Sequence, residues 1–96
     1  MAQNEFRQGI VAVFINRDNL LLTGQRSDNG AWQFPQGGID ENESETIALY
    51  REVLEEVGCD KFKIKKKMKE KLRYSFPKDL YKNISNHYSG QEQRWF

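Results

Sequence analysis

The sequence predicts a mixed α/β (α+β) layer in which one helix packs on a sheet of short strands. Three observations carry this. Gly9–Ile15 (GIVAVFI) is a β-branched, apolar run, as expected of a strand buried on both faces. Ser44–Val57 is one convincing helix with a start and a stop signal. Short extended pieces bounded by Gly, Asn, Asp and Pro lie on both sides of it. At 96 residues the chain makes a single small domain, residues 1–96, with a modest core.

The elements follow in order. After Gly9–Ile15, Asn16–Asn19 is turn-forming and Leu20–Thr23 gives a second strand, so the pair reads as a hairpin. Ser27–Gly30 is another turn. Trp32–Pro35 is a short extended piece, because the residue before a proline is pushed out of the helical region. Gln36–Gly38 reads as a loop whose glycines permit close backbone approach. In the helix Ser44 is the N-cap, Glu45 favours the positive end of the dipole, and Gly58 terminates the run. Lys61–Lys65 alternates basic and apolar residues, which suggests an edge strand with Phe62 and Ile64 inward. Leu72–Phe76 is a further strand ended by Pro77, Lys78–His87 an irregular connection, and Arg94–Phe96 the start of a last strand. Trp32 and Phe34 are read as core packing before base stacking. His87 has no partner spacing for a metal and is assigned no role.

Acidic and basic residues nearly cancel, 14 against 15, so net charge names no partner. Their distribution says more: residues 37–59 hold seven acids and one base, and residues 61–73 hold eight bases and one acid. An acidic block beside a basic one suits a cation site next to an anionic ligand, or two solvated faces of opposite sign. Cys59 is the only cysteine, which excludes an intrachain disulfide and reads as a packing residue. The longest apolar stretch, Ile10–Ile15, is too short for a bilayer, so no membrane is expected. The N-terminus lacks the pattern of a secretory signal, and a cytoplasmic location is expected.

Setting Glu52 at zero and advancing about 100° per residue places Glu55 near −60° and Glu56 near +40°. Ile47, Tyr50, Leu54 and Val57 then fall on the far side, so the helix is expected to bury that face and present its carboxylates opposite. Neighbouring carboxylates repel by a few tenths of a kcal/mol per exposed pair. A hard divalent cation removes that repulsion, whereas an ordinary solvated helix tolerates it.

The context decides between these. From Gly37 the chain runs G-x5-E-x7-R-E-U-x-E-E-x-G-U, with U apolar: Gly37, Glu43, Arg51, Glu52, Val53, Glu55, Glu56, Gly58 and Cys59. Seven fixed identities coincide by chance about once in 10⁸ trials. The pattern resembles the Nudix box, the loop–helix–loop of the Nudix hydrolases; Cys59 departs from the larger aliphatic residue the family prefers. The resemblance implies that Glu52, Glu55 and Glu56 hold Mg²⁺ or Mn²⁺, with the Gly37 carbonyl completing the shell and Glu43 and Arg51 in support. Arg51 is read first as an ion-pair partner that orients a carboxylate, and second as a phosphate contact. Glu55 is the expected general base.

Outside the box, WQFPQGGID (32–40), LRY (72–74) with FPK (76–78), and GQEQRWF (90–96) are similar to the bacterial RNA pyrophosphohydrolases and their dinucleoside polyphosphate relatives. The implied reaction removes pyrophosphate from an RNA 5′-triphosphate end. The alternatives are hydrolysis of dinucleoside polyphosphates, or a non-catalytic module that binds metal and nucleotide. Arg7 and Arg26 fall where that group places phosphate contacts. The basic block 61–73 tracks an RNA backbone or protects an edge strand. The family's domain is longer than this chain, so the fold is expected to be incomplete at the C-terminus. A sheet ending at Phe96 would expose an unpaired edge and favour partial disorder, a homodimer or strand exchange.

Overall fold

The computed structural model describes residues 5–76 and 88–96; the expected connection at Lys78–His87, and Pro77, lie outside the described residues. The element order is β1 (Glu5–Val11), β2 (Gly24–Gln25), β3 (Trp32–Gln33), β4 (Gln36–Gly38), α1 (Glu45–Val57), β5 (Leu72–Ser75) and β6 (Tyr88–Trp95). Four strands form one mixed sheet in the order β4-β1-β6-β5, and β2 pairs with β3 in a small antiparallel ribbon. The central pair, β1 with β6, is parallel, while β4 and β5 flank it antiparallel. The mixed α+β architecture read from the sequence is therefore the one observed.

The strand boundaries move for reasons of pairing. The first strand is Glu5–Val11, not Gly9–Ile15, because its partners end at Val11: Gly9, Ile10 and Val11 face Gly38, Gly37 and Gln36 on one side and Gln93, Arg94 and Trp95 on the other. Beyond Val11 the chain keeps single bonds, from Ala12 N to the Pro35 carbonyl (2.8 Å) and from Val13 N to the Phe96 carbonyl (2.9 Å). Pro35 has no N–H to return one, so the ladder with that neighbour stops. The hairpin at 16–23 reduces to one bridge, Ile15 with Leu21, and Leu20–Leu22 stay exposed. Gln36–Gly38 is a strand and not a loop, because its glycines sit directly across from Gly9 and Ile10. Lys61–Lys65 forms no strand. The last strand starts at Tyr88, earlier than Arg94, and pairs with β1 on one side as far as Trp95; on the other side β5 covers Gly90–Gln93, and beyond it Met68 N donates to the Trp95 carbonyl. The outer strands among the described residues are β4 and β5.

The core lies between α1 and the β4–β1 side of the sheet. Ile10, Ala12, Ala48, Leu49 and Val53 are buried, with Phe14, Ile39, Phe62 and Phe96 packed against them. Helix orientation differs from expectation. Ile47, Leu54 and Val57 are 61%, 49% and 42% exposed, whereas Ala48, Leu49 and Val53 face the sheet. These buried positions lie next to Glu52 and Glu56 on the helical wheel, so the carboxylate face and the packing face adjoin. The β4 backbone engages this part of the helix, Gln36 N donating to Glu56 and the Gly38 carbonyl accepting from Arg51. Trp32, expected in the core, is 66% exposed. Phe34 does pack inward, edge-on to Trp95 with ring centroids 6.0 Å apart.

Candidate active site

Local sequence fixes the helix ends first. The Ser44 hydroxyl accepts from Ile47 N (3.1 Å), and Gly58 closes the helix at φ 81°, its N–H donating to the Leu54 carbonyl. Both caps agree with the sequence reading. The loop between β4 and α1 is shaped by Glu43, whose carboxylate accepts from Asp40 N at 2.9 Å.

Arg51 gathers this loop and helix around one guanidinium. Its Nε and Nη2 donate to the two Glu43 oxygens at 2.7 and 2.8 Å, a forked pair. Nη2 also donates to the Gly38 carbonyl (2.8 Å), and Nη1 to Glu52 (2.7 Å) and Glu55 (3.2 Å). The Arg51 hydrogen bonds hold the Glu43 carboxyl at about 2, far below its ordinary value, and raise the arginine's own pKa. Arg51 thus pairs within the chain with Glu43, Glu52 and Glu55.

The Glu52 side chain is only 15% accessible, against 57% for Glu55. It rests on the backbone of Gly37, where an added Cβ would collide with the Glu52 carboxylate. Only glycine at position 37 permits this approach. Glu56 reaches the same strand from the next turn, accepting from Gln36 N at 2.9 Å. Partial burial pushes the Glu56 carboxyl above its usual range; the Gln36 N–H opposes this, and the Glu52 and Glu55 charges add to it. Glu55 is the outermost, its side chain 57% exposed.

Two cavities meet at Glu56. A smaller one of about 180 Å³ is lined by Arg7, Gln33, Gln36, Gly37, Gly38, Gln91 and Gln93. Arg7 lies with its guanidinium against Gly38. A larger one of about 490 Å³ is walled by Leu22, Phe34, Pro35 and Val57, with Thr23 and Ser27 at polar points. Arg26, Gln33 and Glu56 line both. The structure therefore brings Arg7, Arg26, Gly37, Glu43, Arg51, Glu52, Glu55 and Glu56 into one region. Arg26 is not free there, because its Nε donates to Asp28 at 2.8 Å.

Sequence reasoning missed the glutamines. Gln93 is buried and donates from one amide nitrogen to Gln36 (3.1 Å) and Gln91 (3.0 Å). The signal was present: Gln91 and Gln93 alternate in a strand, so they share one face.

The donor set suits a hard divalent cation, because every candidate ligand is oxygen. The crowding of Glu52, Glu55 and Glu56 gives that cation charge to neutralise. Among the described residues no three acidic, histidine or cysteine side chains converge as a ready-made cage. A cation there would compete with Arg51 for Glu52 and Glu55.

The NUDIX domain family profile matches residues 5–94. The chain is 41% identical over 96 residues to the RNA pyrophosphohydrolase of Wolbachia sp. subsp. Brugia malayi (strain TRS), covering 98% of this chain and 60% of that protein. It is 42% identical over 94 residues to the RNA pyrophosphohydrolase of Rickettsia africae (strain ESF-5), covering 95% and 58%. The chain thus spans about 60% of the length of such relatives. Among solved structures, the E. coli dihydroneopterin triphosphate pyrophosphohydrolase superposes with a TM-score of 0.73 at 22% identity, covering 97% of this chain and 68% of that one. The C. elegans Ap4A hydrolase superposes at 0.60 and 18% identity, covering 94% and 64%. These two likenesses are likenesses of fold. No described helix is long and apolar enough to cross a membrane.

Proposed function

The chain belongs to the Nudix family, and from that premise we propose that it is a metal-dependent pyrophosphohydrolase acting on RNA 5′-triphosphate ends. Pyrophosphate leaves and a 5′-monophosphate remains. The observation that carries this reading is the meeting of two unlike cavities at Glu56. The smaller, with Arg7, amide groups and glycine backbone, suits a polyphosphate. The larger, with Leu22, Phe34, Pro35 and Val57, suits the flat apolar face of a nucleobase. The names of the Wolbachia and Rickettsia relatives point the same way.

Glu52 and Glu56, with the Gly37 carbonyl, would hold Mg²⁺ or Mn²⁺, and Glu55 would join them. When bound, the metal supplies charge neutralisation of phosphate oxygens and a more acidic water. The protein's own work is positioning. Arg51 and Glu43 hold the Glu52 face against Gly37, while Arg7 and Arg26 orient the phosphate chain. Glu55 is exposed and held only by the longer Arg51 bond, so it is the carboxylate best placed to take a proton from the attacking water. Water oxygen bonds to phosphorus, the phosphoanhydride bond breaks, and its bridging oxygen departs with the leaving pyrophosphate.

A second reading, hydrolysis of dinucleoside polyphosphates, is favoured by the larger cavity, which suits a base whichever end of the phosphate chain carries it. A third, a module that binds metal and nucleotide without turnover, is favoured by the hold of Arg51 on Glu52 and Glu55. Incubation with 5′-triphosphate RNA and with diadenosine tetraphosphate, with Mg²⁺ or Mn²⁺ and with chelator, separates them. Metal-dependent pyrophosphate release from RNA supports the proposal, and ATP release from the dinucleotide alone supports the second reading. Mn²⁺ binding that Glu56→Gln abolishes, without turnover of either substrate, supports the third. Unchanged activity in both Glu52→Gln and Glu56→Gln would overturn the mechanism.

A further inference from the structure

Residues 61–69 hold six lysines and no acid, a block that the proposed chemistry does not use. In the sequence, lysines at such spacing have a ready explanation as protection of a sheet edge. The structure removes it, because 59–71 forms no strand and has no edge to protect. The segment is nevertheless held in place. Near its start Phe62 stacks on Tyr50 of the helix (centroids 4.6 Å apart) and meets Phe14 edge-on at 5.0 Å. At its end Met68 N donates to the Trp95 carbonyl (2.9 Å), and Arg94 Nη1 donates to the Met68 and Lys69 carbonyls (3.1 and 2.6 Å). The chain leaves the helix at Gly58 and returns to Glu45, where Lys67 pairs at 3.1 Å. It therefore runs back along the 13-residue helix, about 20 Å.

Charge pairing divides the basic residues in two. Lys67, Lys71, Arg73 and Arg94 share two carboxylate partners, Glu45 and Glu92. Lys61, Lys63, Lys65, Lys66 and Lys69 are exposed and have no carboxylate partner among the described residues. Anchored unpaired charges of one sign repel one another, and a polyanion that replaces their counterions relieves this. We propose that residues 61–69 are a cationic strap that holds the phosphodiester backbone of single-stranded RNA beyond its 5′ end. The choice of RNA rests on the function proposed above; the strap's affinity for a phosphate backbone does not require turnover.

The test is anisotropy binding of a twenty-nucleotide single-stranded RNA, with 5′-triphosphate or 5′-hydroxyl end, in chelator and across a salt series. Wild type is compared with the Lys63→Gln/Lys65→Gln/Lys66→Gln variant, and turnover of diadenosine tetraphosphate or a nucleoside triphosphate is measured in parallel. Three lost contacts at ~0.7 each should lower the log–log salt slope by about 2 for both RNAs. A fourfold rise in salt then costs wild type about twenty-fold more affinity than the variant. Small-substrate turnover should be unchanged. RNA binding with that slope change but no hydrolysis of triphosphate ends would keep the strap and remove the proposed reaction. An unchanged slope, no RNA binding by wild type, or lysine-dependent binding to phosphatidylserine vesicles with RNA binding unaffected would overturn the strap.

Discussion

Arg51→Met removes the guanidinium while keeping most of the stem's apolar volume. It deletes both bonds of the Glu43 fork, the bonds to Glu52 and Glu55, and the bond to the Gly38 carbonyl. Two carboxylates then stay behind in confined positions, Glu43 at 11% and Glu52 at 15% side-chain exposure. Hydrogen bonds to charged groups contribute about 1.5–3 kcal/mol each when measured singly. They are not additive, and Arg51 itself is 27% exposed, so solvent screening reduces the total. The expected loss is about 3 kcal/mol, near the lower end for breaking a buried pair. For a domain of this size that lowers Tm by about 12–24 °C. Urea unfolding followed by far-UV circular dichroism reads the change as a lower midpoint at constant m. Glu43→Gln should cost less, because an amide still accepts one of the fork's bonds, and the double variant should reveal a coupling above about 1 kcal/mol. A loss under ~1 kcal/mol for Arg51→Met, or no coupling with Glu43, would refute the view that this arginine organises the site.

Leu49→Ala should cost about 2–5 kcal/mol and Leu54→Ala much less, because Leu49 is buried and Leu54 is half exposed; equal midpoints in urea would contradict the observed helix face. Gly37→Ala should abolish most turnover while the circular dichroism spectrum stays helical, since the methyl displaces Glu52; full activity would show that this contact is dispensable. Glu43 should make stability acid-sensitive. Its folded pKa, about 2, lies below the ordinary 4.5, so the contribution is fully present above pH 4.5 and is lost as pH falls toward 2. Thermal melts over that window should show a smaller fall in Glu43→Gln than in wild type, and parallel falls would refute the assignment. For association, of the two outer strands among the described residues, β4 and β5, it is β5 that is exposed along its length. Light scattering is expected to show a dimer that Ser75→Pro disrupts, because Phe76 N donates to β6 and the N–H of the preceding residue points outward; a compact wild-type monomer would count against it.

The helix and its caps were legible from local pattern. Ser44 and Gly58 act within a turn of themselves, and the Gly37–Cys59 spacing brings loop and helix acids together without help from distant chain. Strands were legible only as tendencies. Gly9–Ile15 has the right composition throughout, yet strand pairing ends at Val11, because a strand exists only where a partner returns its hydrogen bonds. Lys61–Lys65 alternates well and forms no strand, for the same reason.

What the amino-acid order determined by itself was the identity of the acidic helix, its caps and the family to which the chain belongs. Which helix face is buried was a tertiary decision. Counting apolar residues favours Ile47, Tyr50, Leu54 and Val57, but the β4 backbone at Gln36–Gly38 binds Arg51 and Glu56, and the other side lies inward. The Gln91–Gln93 pair entered the site in the same way, delivered by a strand that lies parallel to β1. Such contacts join residues distant in sequence, and their geometry is set by pairing and packing that no single segment encodes.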